Sequence, residues 1–327
     1  MKNFIEKIKT RILNGGEITV DEAKQLIALD IADIDTLETL FEAANTLRKT
    51  FCGNDFDLCT IMNAKSGRCS ENCKYCAQSA HFSTGVETYP LVNSEKALEM
   101  AKSVEKDGAH RFSLVTSGRG ISSSSELKAL TDIYEHLQAN SSLKLCASHG
   151  IISYEQALAL KESGVSTYHH NLESSANFYS EICTSHTFQD RVDTIKNVQK
   201  AGLRVCSGGI FGLGESQFDR IDMAFTLKAL NVDSIPLNIL TPIPGTPLEN
   251  NEALNPLEVL KTIAIYRFIN PKVSIRYAGG RSLLGEFAKK GLSAGINSAL
   301  TGNYLTTTGS TIESDKEMAK EAGFEIK

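Results

Sequence analysis

The sequence predicts an α/β fold, a (β/α)8 TIM-type barrel with an N-terminal helical extension. Three observations lead there. Short β-rich runs alternate with helical patterns from residue 56 to the C-terminal region, the order expected of parallel strands joined by crossover helices. Eight such runs can be counted. The 327 residues contain no low-complexity linker and no repeat beyond the βα unit, which suits one large barrel better than several small domains.

Residues 1–50 read as helices docked outside the barrel. The opening stretch MKNFIEKIKTRILNGGEI holds two acidic residues and no continuous apolar run of signal-peptide length, so it reads as an amphipathic helix of a cytoplasmic protein. The barrel is expected over residues 51–310, with strands FDLCTIM (56–62), HRFSLVT (110–116), LKLCAS (143–148), VSTYHHN (165–171), LRVCSGGIF (203–211), VDSIPLNIL (232–240), VSIRYAG (273–279) and GINSAL (295–300). Helices are expected at 94–107, 125–139, 154–162, 188–200, 216–230 and 256–269. Several open on a Ser or Asp cap, and Gly164 and Gly202 sit where C-terminal stops belong. Residues 311–327 read as a terminal helix.

Side chains of a strand alternate between two faces, and in a barrel one face meets the helices while the other lines the interior. The apolar sets Phe56 and Leu58, Phe112 and Leu114, Leu143, Leu145 and Ala147, Leu203 and Val205, and Val273, Ile275 and Tyr277 suit the helix side. That turns Asp57, Cys59, Arg111, Ser113, Lys144, Cys146, Ser148, Arg204, Cys206, Gly208 and Arg276 inward. An unpaired buried charge or polar group costs several kcal/mol, so an interior of this composition reads as a functional chamber.

Composition narrows the classes. A hydrophobic fraction of 41% and a charged fraction of 22% are those of an ordinary soluble globular protein. The net charge of -5 gives no electrostatic reason to expect nucleic acid or an anionic membrane as partner, and no apolar run is long enough for a membrane span. The eight cysteines, at 52, 59, 69, 73, 76, 146, 183 and 206, point to metal or catalysis rather than disulfides. Cys69, Cys73 and Cys76 follow the first strand directly, on the side of a barrel where active sites are built. A structural zinc site would want a fourth ligand, for which His81 is the nearby candidate. A four-iron cluster on three cysteines would instead leave one iron open to substrate.

CxxxCxxC with Tyr75 just before the last cysteine, after the first strand of a βα barrel, is identified as the signature of the radical S-adenosylmethionine (SAM) superfamily. The resemblance implies a [4Fe-4S] cluster on Cys69, Cys73 and Cys76, whose open iron chelates SAM, and a 5′-deoxyadenosyl radical from its cleavage. Tyr75 would lie near the adenine. More closely, NAKSGRCSENCKYCAQSAHF (63–82), HHNLESS (169–175), VCSGGIFGLGE (205–215) and NILTPIPGTPLENN (238–251) resemble the biotin synthase family over essentially the whole chain. That resemblance implies sulfur insertion into dethiobiotin, two SAM consumed, and sulfur drawn from an auxiliary iron-sulfur cluster deep in the barrel. It makes Asn171 and Glu173 contacts to SAM ribose and substrate, Arg191 a contact near the SAM carboxylate, and Asn238 a partner of the substrate. Gly208, Gly209, Gly212 and Gly214 would let backbone approach SAM, although turn residues would read the same way. A flavodoxin- or ferredoxin-type electron donor and a homodimer are also implied.

Cys146, Cys206 and Arg276 match three of the four ligand positions that the family uses for an auxiliary [2Fe-2S] cluster, and Ser113 stands at the fourth. A hydroxyl is a poor ligand for such iron compared with thiolate. The expectation is therefore either a [2Fe-2S] cluster or a four-iron type that recruits Cys59 or Cys183, with Arg276 then a neighbouring charge. Small buried hydrophobes are the alternative reading of Cys59 and Cys183. His169 and His170 are read as strand histidines and Cys52 as structural. The rival readings are a hydrogenase maturase or mutase of the same superfamily, and, from another class, a non-catalytic iron-sulfur or zinc protein.

Overall fold

The alternation read from the strands is realised in β1 (Asp57–Lys65): Leu58 is buried against the helices, while Asp57, Cys59 and Ile61 line the interior. The computed structural model describes residues 1–303, 305 and 309–326. Around β1 stand β2 (Arg111–Thr116), β3 (Lys144–Ser148), β4 (Val165–His169), β5 (Arg204–Cys206), β6 (Gly209–Phe211), β7 (Ser234–Ile239), β8 (Ser274–Tyr277) and β9 (Ser298–Thr301). All pair in parallel, in the order β5-β4-β3-β2-β1-β9-β8-β7-β6, and β5 also pairs with β7. β5 and β6 therefore fill one place between them, and the sheet closes as an eight-stranded parallel barrel of the TIM type.

The break between β5 and β6 was not expected within the run LRVCSGGIF. Its cause is a bulge where the neighbouring strand β4 runs on past His169. His169 faces Cys206, but four residues on Glu173 faces Gly209, three residues on. The Gly208 carbonyl takes both the Leu172 and the Glu173 amides, at 2.9 and 3.2 Å, which is how an extra residue is absorbed in a ladder. Lys144, expected inside, is exposed instead: it opens β3 at the rim, where its ammonium stays in water.

The helices follow their caps. α1 (Lys2–Leu13), α2 (Val20–Ile27) and α3 (Ile34–Cys52) precede the barrel. α4 (Ser94–Lys106), α5 (Ser124–Asn140) and α6 (Tyr154–Glu162) come next, then the short α7 (Tyr179–Ile182), which the sequence did not suggest. α8 (Phe188–Lys200), α9 (Gln217–Ala229) and α10 (Pro256–Ile269) are the next crossovers, and the last, between β8 and β9, runs through α11 (Phe287–Ser293). α12 (Ile312–Glu321) follows, and Lys327, the last residue of the expected terminal helix, lies outside the described residues. Capping boxes open α6, α8 and α9 at Ser153, Thr187 and Ser216. Gly164 and Gly202 end α6 and α8 with positive φ, of 101° and 78°, as the left-handed stop requires. α10 is buried from Val259 to Ile269, apolar on nearly every side, because α3 packs against it from outside.

Candidate active site

The loop after β1 turns at Gly67 and Arg68, both with positive φ, and is then zipped to itself. The Cys69 amide donates to the Gln78 carbonyl at 3.0 Å, and the Ala80 amide to the Cys69 carbonyl at 2.8 Å. His81 is spent on this closure, its ring 3.0 Å from the Ser70 carbonyl, and is not gathered with the thiols. Cys69, Cys73, Tyr75 and Cys76 line one cavity of about 680 Å³ that fills the barrel. Burial holds the Tyr75 phenol well above its ordinary pKa and pushes the Cys76 thiol up to about 11. A second loop closes over the first: a Cβ on Gly245 would fall 2.2 Å from the Ser83 carbonyl, and the Gly245 φ is 83°.

The bulge aims the next group. His169, His170, Asn171 and Glu173 all line the cavity, which strict alternation would not allow. Asn171 accepts from the Gly208 amide at 3.0 Å and donates to Glu173 at 3.2 Å. Arg191, on α8, donates to the Asn171 carbonyl at 2.9 Å and to the Tyr179 hydroxyl at 2.5 Å, and lies 3.6 Å from the Glu173 carboxylate. Glu173 holds φ at 69°, rare for a residue with a side chain. Burial drives His170 well below its ordinary pKa, so its ring is neutral, and its Nε2 has no partner among the described residues.

Asn238 also lines the cavity, but its amide is engaged on both sides, by the Gly209 carbonyl at 3.0 Å and the Gly279 amide at 2.9 Å. The glycines fall elsewhere than expected. Gly208, Gly209, Gly212 and Gly214 are not among the cavity-lining residues. A Cβ on Gly208 would sit 1.9 Å from the Pro236 carbonyl, and one on Gly209 2.5 Å from the Glu173 carbonyl, so these two are glycines for strand contact. Gly212 and Gly214 carry φ of 97° and 105°, as a tight turn demands.

Deeper in the barrel a second set of thiols converges. Cys59 and Cys146 come close enough to perturb one another, which lowers the pKa of Cys59 and raises that of Cys146. Cys206 is pushed up by burial, and the Arg276 guanidinium opposes that shift. Arg276 and Arg111 both pair with Asp57, Arg111 at 3.0 Å. Ser113 lines the same chamber, paired in register with Cys146. Thr167 adds a buried hydroxyl with no partner among the described residues, and the Ser234 hydroxyl lies beside Cys206 and holds its pKa down. Cys52 lies against Arg267, 3.3 Å from its guanidinium, apart from this set.

Cys183 is not part of the deep set. It ends α7 and places its Sγ 3.6 Å from Cys73 Sγ, at the mouth. His186 Nδ1 lies 3.4 Å from Cys183 Sγ and 2.5 Å from the Glu71 carboxylate, which in turn takes the Ser185 hydroxyl at 2.8 Å. Glu71 and His186 escaped the sequence reading. The available signal was the spacing Cys183-Thr-Ser-His186, which brings a thiol and an imidazole within reach of one ion.

Two thiol sets, one on the mouth loop and one deep, can each hold iron and sulfide. The donor chemistry fits: thiolates for the metal, a cation beside them, and a cavity within the size range of small-molecule sites. A model of the Radical SAM superfamily matches residues 64–227, and one of the Biotin and Thiamin Synthesis associated domain matches residues 236–325. A biotin synthase of Fusobacterium nucleatum is 60% identical over 100% of this chain and 91% of its own length. One from Clostridioides difficile is 53% identical over 100% of both. Among solved structures, a methylornithine synthase superposes with TM-score 0.84 at 21% identity, covering 98% of this chain and 97% of that one. An FeFe-hydrogenase maturase from Carboxydothermus hydrogenoformans gives 0.82 at 18% identity, with 99% and 79% covered. At these identities the structural likeness speaks for the fold.

Proposed function

The chain belongs to the biotin synthase family of radical SAM enzymes, and on that premise we propose that it inserts sulfur between C6 and C9 of dethiobiotin to form biotin. The observation that carries this reading is the presence of two separate thiol sets facing one cavity, Cys69, Cys73 and Cys76 at the mouth and Cys59, Cys146 and Cys206 below. Cys69, Cys73 and Cys76 would hold a [4Fe-4S] cluster, whose three protein ligands leave one iron for the amino acid end of SAM. Bound there, the cluster would supply the electron that cleaves SAM, and the cleavage would supply the 5′-deoxyadenosyl radical that takes hydrogen from each of the two carbons.

The surrounding side chains bind and orient. Asn171 and Glu173 present an amide and a carboxylate for ribose hydroxyls and substrate, held by Arg191, whose guanidinium also offers positive charge to a carboxylate. Tyr75, kept protonated, offers a flat face for adenine. His170, kept neutral by burial, lines the cavity beside them. Asn238 lines the substrate side, and the strand contacts at Gly208 and Gly209 hold that wall in place.

The auxiliary centre would stand on Cys59, Cys146 and Cys206 with Arg276 beside them. Cys59 adds a third thiol to Cys146 and Cys206 in the cavity, whereas Ser113 offers only a hydroxyl, and the reading is therefore a four-iron centre rather than the two-iron one. A flavodoxin- or ferredoxin-type electron donor, a homodimer and a cytoplasmic setting accompany this reading.

Anaerobic reconstitution followed by Mössbauer spectra, with iron and sulfide counts, tests it on the wild type and on a Cys69→Ala, Cys73→Ala, Cys76→Ala variant. The variant is expected to keep a cluster of about four irons and to form no biotin. An iron-free variant would overturn the two-centre reading.

A further inference from the structure

We propose that Cys73, Cys183 and His186 form a binding site for a single thiophilic divalent cation in the cluster-free chain, one that shares Cys73 with the cluster loop and excludes the cluster while occupied. The first support is geometric. In a tetrahedral site with metal–sulfur bonds of about 2.3 Å and metal–nitrogen bonds of about 2.0–2.1 Å, two sulfurs stand about 3.8 Å apart and sulfur and nitrogen about 3.5 Å apart. Here the Cys73 and Cys183 sulfurs are 3.6 Å apart, and Cys183 Sγ is 3.4 Å from His186 Nδ1. The ligand atoms of all three residues lie within 4.8 Å of one another, and all three residues are buried. The Cys73–Cys183 and Cys183–His186 separations are therefore those of a tetrahedral site.

The second support is the shell that holds them there. His186 Nε2 lies 2.7 Å from the Tyr179 hydroxyl, which accepts from Arg191, so the ring is oriented from behind with Nδ1 turned toward the sulfurs. The Glu71 carboxylate lies 2.5 Å from Nδ1 and can serve as the fourth donor or take the displaced proton, and Arg119 stands 3.7 Å from it. Asn72, inside the cysteine loop itself, accepts from the amides of Thr184 and Ser185 at 3.0 Å each. The loop that carries Cys73 is thus stapled to the segment that carries Cys183 and His186. A cysteine kept only as a small apolar filler would need none of these polar partners. Two thiols with one imidazole suit ferrous iron or zinc, and the deep thiols of the auxiliary centre take no part.

Cobalt(II), whose visible bands report tetrahedral thiolate ligation, is the probe. Cluster-free protein is titrated anaerobically in a Cys69→Ala, Cys76→Ala background, which leaves the proposed site and the deep thiols intact. Adding Cys183→Ala is expected to remove one equivalent of tetrahedral cobalt, and His186→Gln to weaken that equivalent tenfold or more. Cys183→Ser, nearly the same size, guards against misfolding, and the cobalt held by the deep thiols should stay constant throughout. In the wild type, one prior equivalent of zinc should slow reconstitution of the mouth cluster, and Cys183→Ala should relieve the delay. Cobalt stoichiometry unchanged by Cys183→Ala and by Cys183→Ser overturns the site. The consequence for cluster assembly rests on the proposed function. The cobalt titration uses neither SAM nor dethiobiotin, so the site can fail while biotin formation stands, and the reverse.

Discussion

Cys59 and Ser113 sit on neighbouring strands and face the same chamber, yet the chemistry assigns them different fates. Thiolate binds iron well and a hydroxyl does not. Cys59→Ala is expected to lose most of the auxiliary iron and to cut biotin formation at least about a hundredfold, at the upper end of what loss of a metal-site residue costs. Ser113→Ala should keep its iron count. Equal iron in wild type and Cys59→Ala would remove Cys59 from the ligand set. Strand alternation alone turned Cys59 inward, because that rule is local. Cys183 is another matter: its neighbour Cys73 is 110 residues away in sequence, so only the folded chain brings the two sulfurs together. Local spacing named the thiols of the mouth loop and placed Glu71 among them and His186 beside Cys183, but only the fold shows that the two groups meet.

At the scale of the element, β4 and the broken β5–β6 strand show where period-two reasoning stops. An alternating pattern carries no mark for an extra residue, and neither Gly nor Pro stands in His169-His170-Asn171-Leu172-Glu173 to announce the bulge. The glycines opposite it were read as room for a ligand, whereas the neighbouring strand fills that room. Gly208→Ala places a methyl 1.9 Å from a main-chain carbonyl. The expected cost is about 3 kcal/mol, or about 6 °C or more in melting temperature, read by calorimetry on the cluster-free protein. α5 gives a pH prediction. Burial works against ionisation of Glu126, but Lys65 at 2.7 Å, with the Ser122 hydroxyl and amide, outweighs it and takes the carboxyl down to about 2 from 4.5. A lowered folded pKa adds stability above the unfolded value and loses it as pH falls toward the folded one. Stability should therefore drop between pH about 4.5 and about 2, and Glu126→Gln, weaker at neutral pH, should show a flatter acid limb in chemical unfolding monitored by circular dichroism.

For the whole molecule, the barrel, its eight places and its outer helices were readable because parallel strands buried on one side leave a strong hydrophobic imprint. What the pattern could not express was how the loops above the strands lie on one another. The stretch after β7 rests on the cysteine loop with main chain against main chain at Gly245 and Ser83. The expectation drawn from that contact is that it works as the latch of a door at the mouth, setting both how fast iron and sulfide enter and how fast they leave. Gly245→Ala, whose methyl would press 2.2 Å from the Ser83 carbonyl, should prop the latch open. Stopped-flow uptake and chelator-driven loss of mouth iron are both expected to quicken together, leaving final occupancy nearly unchanged. A variant that filled and emptied at the wild-type pace would show that the door stands elsewhere. If the latch holds, the lifetime of the cluster in this protein is a property of two loops and one missing methyl group.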